Sequence, residues 1–281
     1  MLASVGSNFL NFVHARSFIH IRLTLNTRWK YHLKPILTIF ASSVAVTIYV
    51  YSDNTILGLM KNDYAVGIYS TSVKIYQIAQ SLLSAVLTVT IPRLAMLWGQ
   101  RRRREYNDVL TRVINTLGVL VLPASVGLLM LSREVVLIIA GQKFLPSVNS
   151  LRIITWAIIF SIFSWIFSDC VLIPAKREKR VLQNTLITAV INIVLNFILI
   201  PTMSYDGTSL STVLAELSVM IMNGYSCKDI IKPIIFKKET LKNLLESIIG
   251  CIGIVIVCLL CQWGWDSMIW KTVFSVILSV P

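Results

Sequence analysis

Lys74 lies inside the stretch GIYSTSVKIYQIAQSLLSAVLTVTIP (67–92), which holds no other charged residue. Steps of three and four residues stay on one face of an α-helix. From Lys74 such steps reach Ser70 on one side and Gln77, Ser81, Ser84 and Thr88 on the other, all polar. Ile68, Ile75, Ile78, Leu82, Leu83, Val86, Leu87 and Val89 occupy the remaining faces. A cation in a hydroxyl-rich stripe is suited to an anionic, hydrogen-bonding cargo. The alternative is a lysine that snorkels or pairs with a structural carboxylate.

Three other segments carry polar side chains at helical spacing. Asn184, Thr188, Asn192 and Asn196 recur every four residues. Ser209, Thr212, Glu216 and Asn223 share a face, with Glu216 near its middle. The segment 152–173 has Arg152 at one end and Asp169 near the other. Taken singly, Asn, Ser and Thr at such positions read as interhelical hydrogen-bonding groups. As part of a polar pathway, Lys74, Gln77, Ser70, Ser81, Asn192, Asn196 and Glu216 are the candidate substrate-lining residues. Asp169 and Glu216 are candidates for a charge pair with Lys74 or for a coupling-cation site.

The elements that must position these residues are membrane helices. The 281 residues are 56% hydrophobic and only 14% charged, with a mean hydropathy of +0.74, against roughly 25% charged for ordinary soluble domains. Eight runs approach the ~20 apolar residues that a spanning helix needs. They are 35–51, 64–91, 113–131, 152–173, 181–200, 207–225, 241–261 and 264–280. An all-α, polytopic bundle of about eight transmembrane helices follows. Pro123 falls inside the third run, and neighbouring helices would absorb its kink. Residues 132–150 are too short in apolar run to span, and predict an interfacial helix or a buried loop. Trp263, Trp265 and Trp270 fit a belt at the membrane edges, and make the last two runs peripheral.

The net charge of +13 concentrates between these runs. Residues 1–34, 93–112 (with Arg101–Arg104), 176–180 and 228–242 hold twenty of the 26 Lys and Arg. The positive-inside rule places all four segments in the cytoplasm and 53–62 and 201–207 outside, with both termini inside. On this background the arginine run reads as a topology determinant rather than a nucleic-acid contact. The five cysteines (Cys170, Cys227, Cys251, Cys258, Cys261) show no pairing pattern and read as small buried hydrophobes. His14, His20 and His32 lack metal-ligand spacing. There is no phosphate-binding Gly-rich loop, and no carboxylate pair or Ser-His-Asp spacing suggests catalysis. No cofactor or metal is expected.

The stretch 53–97 resembles a helical pair in the C-terminal half of Wzx-like polysaccharide (O-antigen) repeat-unit flippases, members of the multidrug/oligosaccharidyl-lipid/polysaccharide exporter superfamily. The resemblance is carried by Asp53 with Leu57-Gly58, VGIYS (66–70), Lys74-Ile75 and PRLA (92–95). Further on, INIVLNFILIP (191–201), Gly207 and Glu216 fit the same family's pattern. It extends from about residue 1 to 225. It implies a non-enzymatic transporter that moves undecaprenyl-diphosphate-linked oligosaccharide units across the bacterial cytoplasmic (inner) membrane by alternating access between two six-helix lobes. The expected partners are the lipid-linked oligosaccharide, membrane lipids, and a missing N-terminal lobe or other polysaccharide-assembly proteins.

The resemblance divides the chain into a basic segment (1–34) containing the tail of a preceding helix, a six-helix C-terminal lobe (35–226), and a basic linker with two peripheral helices (227–281). The N-terminal half of the family pattern is absent, so an incomplete form is expected. Two other readings remain at this stage. A drug/cation antiporter of the same superfamily would favour acidic cavity residues over Lys74. A membrane enzyme of glycan assembly, such as a polymerase, would need a large outward loop with paired Arg or carboxylates.

Overall fold

The computed structural model describes Leu33, residues 51–235 and residues 238–264. The described residues from 51 onward fall in one compact unit, 49–281. All but residue 51 of the expected span 35–51, and all but residue 264 of the expected span 264–280, with Trp265 and Trp270, lie outside the described residues, as do the three histidines.

Helical residues 51–60 form α1. They are followed by α2 (Asp63–Gly99) and α3 (Arg103–Met130). A short α4 (Ser132–Ala140) and a 3-10 turn (Gln142–Phe144) lead into α5 (Ser147–Trp165). α5 continues as a π-helix, Ile166–Leu172. Then come α6 (Glu178–Ser226), α7 (Lys228–Ile235) and α8 (Lys238–Gly264). Four of these helical stretches are long and apolar enough to cross a membrane: Asp63–Gly99, Arg103–Met130, Ser147–Leu172 and Glu178–Ser226. The chain is an all-α, multi-pass membrane protein.

α2 begins where Asn62 caps it, accepting from the Ala65 amide at 2.9 Å. Its 37 residues span about 55 Å at 1.5 Å per residue, so it outruns a hydrocarbon core of ~30 Å. At its far end the ring of Trp98 meets Tyr106 edge-on at 4.9 Å, and the Arg103 guanidinium lies 3.3 Å over the Trp98 ring. Tyr106 is fully buried and donates to the Cys170 carbonyl in the π-helix at 2.8 Å. That corner locks α2, α3 and the end of α5 together. The core around it is built from Leu94, Leu97, Leu110, Leu117, Ile158 and Ile162.

α6 is a helical hairpin. Its backbone is helical throughout except at Ser204, where φ is +51°. Asn184 donates to Asn223 at 2.9 Å across 39 residues, which an unbroken helix would hold about 58 Å apart. Ser211 donates to Asn196 at 2.6 Å. Both pairs are symmetric about the break, so the arms α6a (178–203) and α6b (205–226) run antiparallel. These arms match the expected spans 181–200 and 207–225, and the turn falls in the segment expected to connect them. The arms pack backbone to backbone at Gly207, where an added Cβ would stand 2.5 Å from the Leu199 carbonyl oxygen. Gly207→Ala is therefore expected to lower stability by about 1–3 kcal/mol, although alanine is the better helix former. Thermal unfolding in detergent is the check, with Gly224→Ala, which meets only the rim of Phe167 at 3.2 Å, as the milder comparison.

Segment 132–150 forms the short helix α4 and the 3-10 turn, reversed by Gly141 at φ +81°. Residues 51–60 are helical and end at Met60, where a loop was expected from residue 53, so the connection to α2 is Lys61 and Asn62. Lys61 donates to the Pro201 carbonyl at 3.0 Å and tethers the hairpin turn. At the opposite end of α6, Arg177 binds Asp229 through both guanidinium nitrogens, at 2.8 and 2.6 Å. Those hydrogen bonds hold the Asp229 carboxyl below the usual carboxylate range. α8 packs on α3, with Ser247 donating to the Gly118 carbonyl at 3.3 Å, while Ile249, Ile252 and Leu259 stay exposed. Cys170, Cys227 and Cys258 are buried and reduced; Cys251 is half-buried.

Candidate functional site

The two helices with the most regular polar stripes face opposite ways. On α6a, Asn184, Thr188, Asn192 and Asn196 are all buried. Val190, Val194, Phe197 and Ile198 on its other side are at least half exposed. That inverted amphipathicity suits a helix that shows apolar groups to lipid and hydrogen-bonds inward.

α2 reverses the arrangement. Its buried side carries Ile68, Ser72, Ile75, Tyr76, Leu94 and Leu97. At 100° per residue, the Ser70–Thr88 stripe lies about 150° from the mean direction of all the buried residues of α2. Lys74, Gln77, Ser81 and Thr88 are exposed, and Ser70 and Ser84 are half-buried. Ser81, Ser84 and Thr88 donate to carbonyls of their own helix, which leaves hydroxyl oxygens as outward acceptors. Ser70 donates to Asn54 at 3.1 Å. Among the described residues Lys74 makes no ion pair, and neither Asp169 nor Glu216 lies against it as a counter-ion. An apolar flank of Ile78, Leu82 and Val89, also exposed, borders the stripe.

Where α1, α2 and both arms of α6 meet, Asp53 is 8% exposed. Its Oδ2 accepts from Tyr69 at 2.8 Å and Thr212 at 2.9 Å, and its Oδ1 from Asn196 at 2.6 Å. Asn196 also donates to Asn192 at 3.2 Å and accepts from Ser211. The network ties four helical segments through one carboxylate. Asn192 and Asn196 thus lie inside the protein within a connected polar cluster, not on the open face with Lys74.

A second polar region lies one turn further along α6b. Asp169 on the π-helix and Glu216 on α6b line a single cavity of about 220 Å3. The sequence spacing could not bring these two carboxylates together, because the wide π turn and the α6 hairpin decide where they point. Asp53 entered only through the family resemblance, with no site role assigned. It falls just beyond an apolar run, where it reads as a loop residue, and the helical course of residues 51–60 makes it an interior one. Its spacing to Tyr69 and Thr212 carries no local signal. Among the described residues no group of three His, Cys, Asp or Glu side chains is placed to hold a metal by itself.

Along its open face the stripe presents an ammonium, an amide and hydroxyl oxygens. Comparison with known proteins finds relatives of one kind. Over 189 residues the chain is 28% identical to the lipid II flippase MurJ of Bacillus subtilis, covering 63% of this chain and 34% of that protein. It is 25% identical over 174 residues to a probable low-salt glycan biosynthesis flippase, Agl15, of Haloferax volcanii, covering 62% and 37%. A putative O-antigen transporter of Shigella dysenteriae is 24% identical over 189 residues, covering 67% and 47%. The chain therefore spans between a third and a half of the length of these relatives. A solved lipid II flippase MurJ in an inward closed conformation shares the fold, with a TM-score of 0.72 at 18% identity over 98% of this chain and 58% of that one. The family model described as polysaccharide biosynthesis protein matches residues 1–149, more than half of the sequence, and the chain belongs to that family.

Proposed function

We propose that this chain forms one lobe of a flippase for lipid-linked saccharides, and that the Lys74 stripe lines the path of the headgroup. The cargo we assign is an undecaprenyl-diphosphate-linked oligosaccharide repeat unit, carried to the outer leaflet of the bacterial cytoplasmic membrane for surface polysaccharide assembly. The observation that carries this reading is the exposed stripe of Lys74, Gln77, Ser81 and Thr88, on the side of α2 turned away from its buried residues. A lysine facing lipid at mid-membrane costs about 2.5–3.5 kcal/mol on insertion scales, and the neighbouring hydroxyls and amide add to that. Facing a hydrated passage, the same residues are at little cost. The ammonium supplies charge for a diphosphate, and Gln77 and the hydroxyl oxygens match a sugar's donors and acceptors.

The two sides of α2 divide the labour. The buried side anchors the lobe, and the apolar flank beside the stripe can meet the lipid tail while the headgroup tracks the polar strip. Transport would need a second lobe across the stripe, because alternating access is the rocking of two units about a shared site. No bond is made or broken in this scheme. A drug/cation antiporter is less well served, since the open face presents an ammonium and its carboxylates lie on the inner side of the lobe.

Function is tested by surface glycan in a strain whose own flippase is deleted, supplied with a two-lobed transporter bearing this lobe. Orientation has a separate test. With the native cysteines replaced, Arg103→Cys is expected to react with an impermeant maleimide only from the cytoplasmic side, and Thr202→Cys only from outside. External labelling at Arg103→Cys would invert the topology.

A further inference from the structure

We infer that the cavity between the π-helix and the α6 hairpin is a binding site for a partly hydrated hard metal cation, with Asp169, Glu216 and the Thr188 hydroxyl as its protein ligands. This site is separate from the Lys74 stripe and does not rest on the flippase reading.

The cavity has a volume of about 220 Å3, and among the described residues its charged lining consists of Asp169 and Glu216, with no Lys or Arg. Neither carboxylate is in an ion pair among the described residues. Asp169 accepts one hydrogen bond, from Ser168 at 2.9 Å. Glu216 receives none from any described residue. Carboxylates inside a membrane protein without a basic partner are costly, and such residues characteristically mark ion sites or proton paths.

The second observation is independent of the acidic pair. Thr188 lines the same cavity. It is 1% exposed, and its Oγ1 has no hydrogen-bond partner among the described residues. Its neighbours are not in the same position. Asn223, also in the lining, is satisfied on both sides, accepting from Asn184 at 2.9 Å and donating to Ser164 at 3.1 Å. That pairing holds the two arms of α6 and α5 in register around the cavity. Thr188 Oγ1 is thus the one lining hydroxyl left open while its surroundings are fixed.

The available ligands are all oxygens, from carboxylates and a hydroxyl. Oxygen-only sets select hard cations such as Na+, Mg2+ or Ca2+ over the softer transition metals. The volume far exceeds a bare ion, so the ion would keep several waters between itself and the walls. The π-helix contributes directly. Its widened turn carries Asp169 and the bonded Ser168, and π segments within α-helices are frequent at functional sites.

The test uses the full 281-residue chain in nanodiscs. Equilibrium binding of 22Na+ and of 45Ca2+ is measured, with Mg2+ as competitor of the latter, and the thermal midpoint is recorded with and without each cation. Saturable binding of one of these ions is expected, together with a rise in the midpoint on adding it, since a ligand that binds only the folded state stabilises it. Glu216→Gln and Asp169→Asn should each weaken binding by roughly tenfold to a hundredfold, and Thr188→Val, which keeps the shape, by a few-fold to about tenfold. The cation-induced midpoint shift should shrink in the same order, a readout that remains valid for a variant with lower basal stability. Na+ binding alone would identify a monovalent site; Ca2+ binding displaced by Mg2+ would identify a divalent one. Absence of saturable binding for every probe overturns the inference, as does binding that persists unchanged in both carboxylate variants.

Discussion

Lys74→Ala is expected to cut surface glycan roughly tenfold to a hundredfold at matched membrane abundance, when this lobe is carried in a complete two-lobed transporter. The magnitude follows from the loss of one hydrogen bond to a charged group, about 1.5–3 kcal/mol. Lys74→Arg should retain most activity because the charge remains, and Lys74→Gln should resemble alanine. The abundance control separates transport from folding. An exposed side chain without a partner among the described residues gives the folded lobe little to lose, so the melting midpoint should barely move. Activity of the alanine variant at the wild-type level would remove the diphosphate role and leave Lys74 as a snorkelling residue.

Asp53→Ala is expected to have the largest effect on stability, about 3 kcal/mol or more. Three donors converge on this one carboxylate, from Tyr69, Asn196 and Thr212. Each buried donor left unpaired costs about 1–3 kcal/mol, partly relieved because Tyr69 and Thr212 are also within 3.1 Å of each other. Tyr69→Phe removes one donor and leaves two, so it should cost far less. Unfolding of the purified chain, followed by circular dichroism in detergent, distinguishes the two. Equal losses would show that Asp53 is not the hub joining α1, α2 and α6.

Helix positions were the most legible part of the chain. Long apolar runs over 64–91, 113–131 and 152–173 reappear in α2, α3 and the α5–π segment, because few other structures satisfy the backbone inside a membrane. The hairpin turn was visible in the polar interruption PTMSYDG (201–207). Helical period was less informative about what a face meets. Asn184, Thr188, Asn192 and Asn196 repeat as regularly as Ser70, Lys74, Gln77 and Ser81, yet the first set is buried and the second is open apart from half-buried Ser70. A period of 3.6 states that residues share a face; the packing of the other helices decides whether that face is interior, lipid or water. The Asp53 cluster was illegible for a related reason. Asp53 is 16 residues from Tyr69, 143 from Asn196 and 159 from Thr212, and only the hairpin brings α6b back to α1. The π turn at Asp169 likewise shifts its side chain away from the position that an unbroken α-helix would assign.

The central claim is that the open face of α2 meets water and not lipid. Accessibility to a membrane-impermeant thiol reagent tests it most directly, because thiols react as thiolates and a thiolate does not form in hydrocarbon. In membranes containing the chain with its five cysteines replaced, single cysteines at Gln77, Ser81 and Thr88 should be modified, and cysteines at Leu82 and Val89 on the exposed apolar flank should be protected. Protection of the stripe positions to the same degree as Leu82 and Val89 would contradict the account, since Lys74 would then face lipid with its neighbours.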